Sequence, residues 1–114
     1  MRRVTIAVVA TAIIAALAAS ALAARKIVRV GDNYFVRSRG VPTVTVTRGD
    51  RVTWRFAGRD PHNVHAVRGP ARFRSPTRQS GSYSRRMTRR GTYTIICDIH
   101  GGRDQKMRLV VRSG

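Results

Sequence analysis

The chain holds one thiol and three imidazoles, and two of those imidazoles stand where they could share a metal ion with the thiol. Cys97 is followed by His100 in Cys97-Asp98-Ile99-His100-Gly101-Gly102, and His62 lies upstream in Asp60-Pro61-His62-Asn63-Val64. Two ring nitrogens and a thiolate, completed by a weak axial group, form the donor set of a mononuclear blue-copper electron-transfer centre. As the only cysteine, Cys97 cannot form an internal disulfide, and ligation gives the leftover thiol a role. His65 follows His62 by three residues, a spacing that on a strand turns the two side chains to opposite faces. It is therefore expected to be hydrogen-bonded or solvated and not a ligand. Asp98 is expected as a turn residue, and Asp60-Pro61 as the shaping of the loop that leads into His62. No Ser or Asp is spaced to build a hydrolytic triad on these histidines.

Such a site needs a rigid frame, and the pattern of apolar residues says which kind. After residue 24 they recur with period two, in Ile27-x-Arg29, Val44-x-Val46, Val52-x-Trp54-x-Phe56, Tyr83-x-Arg85-x-Met87, Tyr93-x-Ile95-x-Cys97 and Met107-x-Leu109-x-Val111. Period two marks half-buried strands, and the Gly-, Asp- and Pro-containing stretches between them mark turns. No segment in this part of the chain sustains a helical stripe. Seven or eight short strands at this spacing predict an all-β protein, an antiparallel β-sandwich or barrel. Val44, Val46, Val52, Trp54, Phe56, Ile95, Leu109 and Val111 are the expected core, with the interleaved Thr and Arg facing water. The stretch from Arg68 to Ser82 reads as a long surface connection holding at most a short strand. Cys97 falls at the end of a strand and His100 in the glycine-containing loop beyond it, so a strand end and a loop can aim both donors at one point.

Ahead of this domain, Met1-Arg2-Arg3 precedes an uncharged stretch from Val4 to Leu22 and an Ala21-Leu22-Ala23-Ala24 cleavage pattern. The reading is an export signal over residues 1–24, or an uncleaved membrane anchor, with one domain over residues 25–114. The expected location is extracellular, cell-surface or periplasmic, with membrane contact only through the N-terminal segment if it stays attached. The formal net charge is +18, from 23 basic and 5 acidic residues, and loss of Arg2 and Arg3 leaves it strongly positive. Such a charge draws anionic partners and affects association rates, not fold. An acidic redox protein or an anionic cell-surface component is the expected partner of a chain read as a monomer; export argues against nucleic acid.

In four stretches the sequence resembles the cupredoxins, small blue-copper proteins of the plastocyanin and amicyanin type. The matching residues are Gly31-Asp32-Asn33-Tyr34-Phe35, Val44-Thr45-Val46-Thr47-Arg48-Gly49-Asp50-Arg51-Val52-Thr53-Trp54, His62-Asn63-Val64, and Gly91-Thr92-Tyr93 with Cys97 and His100. The resemblance implies a Greek-key β-sandwich with antiparallel or mixed sheets, one type 1 copper, and His62, Cys97 and His100 as equatorial ligands. It also implies that Asn63 ties the two ligand loops together. The axial position departs from the family pattern. Plastocyanin-like chains have a methionine where this chain has Gln105, and amicyanin-like chains have it where this chain has Arg103, which cannot ligate. Gln105, with an amide oxygen harder than a thioether, and Met107 are the two axial candidates.

The function expected on this reading is one-electron transfer through copper, without enzymatic turnover. Multicopper oxidases would need copper sites for which three histidines do not suffice. The alternatives are copper delivery or storage, and a metal-free basic sandwich that holds acidic surface polymers through arginine.

Overall fold

The computed structural model describes residues 23–36 and 40–114, so the export signal or anchor expected over residues 1–24 lies outside them except for its last two residues. Among the described residues there are nine strands and one short helix: β1 (Arg25–Gly31), β2 (Tyr34–Phe35), β3 (Thr43–Thr47), β4 (Arg51–Phe56), β5 (His65–Arg68), β6 (Phe73–Arg74), β7 (Ser82–Arg86), β8 (Gly91–Ile96), α1 (Gly101–Asp104) and β9 (Lys106–Arg112). They form two mixed sheets, one ordered β2-β1-β4-β7 and the other β3-β9-β8-β5-β6.

Alternation decides which side chains meet between the sheets. In β3 the two valines are buried and the three threonines exposed, and β4 buries Val52, Trp54 and Phe56 between exposed Arg51 and Arg55. Every residue expected in the core is buried there, joined by Val28, Val30, Met87, Tyr93 and Met107. Burying each such apolar side chain contributes about 1.5–3 kcal/mol. Trp54 is fully enclosed, its ring 6.0 Å from Phe73 and 5.9 Å from Tyr83, and its indole N–H donates to Met107 Sδ at 3.5 Å.

Two expectations need correction. In β1 it is Val28 and Val30 that face inward, while Ile27 is 54% exposed. Where two apolar residues adjoin, as Ile27 and Val28 do, pairing with the neighbour strand chooses the parity. Between Arg68, which ends β5, and Ser82, which starts β7, the chain holds only the two-residue β6, but it is not wholly a surface connection, because Phe73 and Ser75 are buried.

Strand direction brings the site together. β1 runs parallel to β4, with Val30 beside Phe56, so the turn after β1 and the loop after β4 emerge at the same end. β8 is antiparallel to both β5 and β9, with Ile96 beside His65 and Lys106, so Cys97 and Gln105 leave the second sheet at that end too. The outward face of the first sheet is cationic. Arg25, Arg51 and Arg86 occupy one cross-strand row, and Arg29 and Arg55 another.

Candidate metal centre

His62 belongs to the loop between β4 and β5, where its backbone exchanges two hydrogen bonds with Arg78, at 2.9 and 2.8 Å. Cys97 directly follows β8, and its N–H donates to Gln105 O at 3.2 Å, closing the loop that carries His100. Within that loop Gly101 N–H donates to Cys97 O at 2.8 Å, and Gly101 has φ +80°, a left-handed conformation that glycine adopts without strain. His100 is the residue before α1.

These segments bring the three expected ligands into one cluster, with donor atoms all within 4.8 Å of one another. Cys97 Sγ lies 3.8 Å from His62 Nδ1 and 3.7 Å from His100 Nδ1. His62, Cys97 and Gln105 are fully buried, whereas the His100 side chain is 18% exposed.

Gln105, immediately before β9, reaches from the second sheet across to the first. Its amide NH2 donates to Gly31 O at 2.8 Å and to Tyr34 O at 2.9 Å. Both of its donors are thus engaged, which fixes the amide so that Oε1 is the atom 3.1 Å from His62 Nδ1. On the far side of the ring, His62 Nε2 is 2.9 Å from Asp32 Oδ1. A carboxylate only accepts, so Nε2 carries the proton and, in the neutral ring, Nδ1 carries a lone pair. Two buried acceptors then lie 3.1 Å apart beside the Cys97 thiol, 3.8 Å from Nδ1, whose S–H is only a weak donor to them. A buried acceptor without a partner costs about 1–3 kcal/mol. A soft cation would satisfy these lone pairs together, and two imidazoles, one thiolate and a weak fourth donor are what a type 1 copper takes.

Met107 points elsewhere. It pairs with Ile95 in the β8–β9 ladder, is fully buried, and engages Trp54 through its sulfur.

The surrounding polar residues hold the two ligand loops together. Asn63 Nδ2 donates to Asp98 Oδ2 and Asp98 N–H donates to Asn63 Oδ1, both at 2.8 Å, a reciprocal clasp between the His62 loop and the Cys97 loop. His65 is satisfied outside the cluster by Asp98, at 2.8 Å from its Nδ1. Burial pushes the Asp98 carboxyl up, but hydrogen bonds from His65 and Asn63, with the charges of His65 and Arg74, outweigh it and hold the group below its ordinary value. Asp98 is therefore the hub of the clasp as well as a turn residue. Asp32 accepts the N–H groups of Arg59 and Asp60 at 3.0 and 3.1 Å as well as His62, and these bonds lower its pKa to about 2. Sequence reasoning missed Asp32 as part of the site; it stood in a turn motif where aspartate is ordinary. Asp60 also reaches back, its carboxylate 3.6 Å from His100 Nε2.

No protein-family model and no curated protein matches the chain. Solved structures do. An oxidized amicyanin variant is 31% identical, over 77% of this chain and 82% of the amicyanin, with a TM-score of 0.60. This chain is a cupredoxin. A Cu(I) form of another amicyanin variant agrees at 30% identity over 83% and 89% of the two chains, with a TM-score of 0.62. The copper-containing nitrite reductase from Thermus scotoductus shares the fold at 21% identity and a TM-score of 0.64, over only 23% of its own length. Copper is accordingly the cofactor of this cupredoxin, with His62, Cys97 and His100 clustered to hold it.

Proposed function

We propose that this cupredoxin is an exported one-electron carrier whose copper is held by His62, Cys97 and His100, with Gln105 Oε1 as the axial donor. The observation that carries the proposal is the fixed, buried amide oxygen 3.1 Å from His62 Nδ1, on the same cluster as the thiol. When bound, copper supplies a Cu(II)/Cu(I) couple. The chain's own part is to keep the donors still. Gln105 is locked by two carbonyls and His62 by a carboxylate and two backbone bonds, so little rearrangement accompanies a change of charge at the site. His100 is the one ligand with an exposed edge, and that edge is the port through which an electron enters and leaves. Met107, engaged by Trp54 in the core, serves packing.

The donor or acceptor that docks on this protein is acidic. All five carboxylates are aspartates, and three of them, Asp32, Asp60 and Asp98, face histidines at the metal end. The outward face of the first sheet offers Arg25, Arg29, Arg51, Arg55 and Arg86 with no acidic neighbour in its strands. Export rests on Arg2-Arg3, the apolar stretch from Val4 to Leu22 and the Ala21–Ala24 cleavage pattern. Recovery of the mature chain outside the cytoplasm with its N-terminus near Arg25 is the expected outcome of expressing the full sequence.

Voltammetry tests the carrier reading. The copper-loaded protein is expected to give a reversible one-electron wave that Cys97→Ser abolishes. Because the amide oxygen is the harder donor and favours Cu(II), Gln105→Met is expected to shift that wave to higher potential while Met107→Leu leaves it in place. A wave that falls in Gln105→Met, or that moves with Met107→Leu alone, removes Gln105 as the axial donor. Release of copper to an acceptor without reversible cycling removes the carrier function in favour of delivery.

A further inference from the structure

The short turn between β1 and β2 reaches the site twice. Gly31 and Tyr34 offer the carbonyls that lock the Gln105 amide, and Asp32 between them meets His62. Asp32 is itself built into place. Two backbone N–H groups, of Arg59 and Asp60, converge on its carboxylate at 3.0 and 3.1 Å, leaving Oδ1 2.9 Å from His62 Nε2. The chain also keeps the space it needs, because a Cβ at Gly58 would overlap the Asp32 carboxylate and come within 2.9 Å of its backbone nitrogen. In a chain with 23 basic and only 5 acidic residues, one carboxylate is committed to the buried face of a ligand ring.

We propose that Asp32 is a positioning residue of the metal centre: by accepting a hydrogen bond from His62 Nε2–H it turns the Nδ1 lone pair toward Cys97 and Gln105, and its charge favours Cu(II) over Cu(I). This rests on the copper reading above. A carboxylate behind a ligating histidine fixes the ring's tautomer and orientation and makes the ring a stronger donor, and the loss of such a partner weakens metal binding 10–100-fold. A stronger donor stabilises the more highly charged metal state more. The first-sheet turn, and not only the Cys97–Gln105 loop, therefore sets the potential of this protein.

The direct test compares copper-loaded wild type, Asp32→Asn and Asp32→Ala. Asparagine keeps the size and an accepting oxygen but loses the charge, and alanine loses both. The expected order of potential is wild type lowest, Asp32→Asn higher and Asp32→Ala highest. A tenfold loss of preference for Cu(II) corresponds to a rise of about 59 mV for a one-electron couple. In the Cu(I) form, NMR is expected to show His62 Nε2–H protected from solvent exchange in wild type and exchanging rapidly in Asp32→Ala. Should either variant fold poorly, Gly58→Ala, which displaces the carboxylate while leaving it charged, is expected to raise the potential and speed that exchange as well. Blue variants with the wild-type potential and an equally protected His62 proton overturn the role of Asp32 and leave the copper site standing. A wild-type protein that forms no blue centre overturns both.

Discussion

The two histidines of the cluster are held in opposite ways. His62 is fully buried, clamped through its backbone to Arg78, through Nε2 to Asp32, and beside a locked Gln105 amide. His100 sits ahead of a four-residue helix in a glycine-containing loop, 18% exposed, with the 60% exposed Asp60 carboxylate 3.6 Å away. One side is pre-organised by the scaffold and the other is left open. The contrast matches what a carrier requires, a rigid interior that limits rearrangement and one ligand at the surface through which a partner is reached.

The largest effect that would sharpen the contrast comes from deleting each ring in turn. His100→Gly opens a gap at the surface, and added imidazole is expected to enter it and restore the blue spectrum. His62→Gly opens a gap closed off from solvent, and imidazole is expected to restore little. Equal rescue of the two variants, read from the visible absorption, breaks the distinction between a closed and an open side.

A smaller effect concerns the clasp that joins the sides. Asn63→Ala removes both 2.8 Å bonds to Asp98, which are only partly buried, so a loss of about 0.5–1.5 kcal/mol is expected. Denaturant unfolding of the metal-free variant checks this, and an unchanged midpoint contradicts it. Gly101→Ala meets no atom within 4 Å but strains a backbone at φ +80°, so a loss of about 1 kcal/mol, confined to the open side, is expected.

The smallest effect is acid sensitivity of the closed side. The folded pKa of Asp32 is lowered from 3.8 to about 2, so the unfolded chain binds its proton first on acidification. Stability of the metal-free protein is therefore full above the unfolded value and declines as pH falls from about 4 toward 2, with Asp98 contributing in the same direction. Asp32→Asn is expected to flatten that decline in acid-unfolding curves; an unaltered slope would falsify the assignment.

Most of the frame could be read before any coordinate was known, because a sandwich writes itself locally. The valines of β3 and the Val52-Trp54-Phe56 run of β4 alternate with exposed residues, and alternation needs only neighbours in the chain. Cys97 and His100 are close in sequence, and the order of motifs added His62. What escaped was long-range. Asp32 meets His62 across 30 positions only because β1 lies parallel to β4, and no local pattern announces that pairing. The choice between Gln105 and Met107 was open for a related reason. Both are fully buried near the same strand start, and only the positions of Trp54, Gly31 and Tyr34 show which side chain each neighbour engages.

The most direct trial of the account is to add one equivalent of Cu(II) to the purified domain and record its visible spectrum. An intense thiolate-to-copper band, absent from Cys97→Ser, is the result expected when sulfur, two ring nitrogens and an amide oxygen meet at one ion. A colourless complex, or the same faint colour in both proteins, would contradict it.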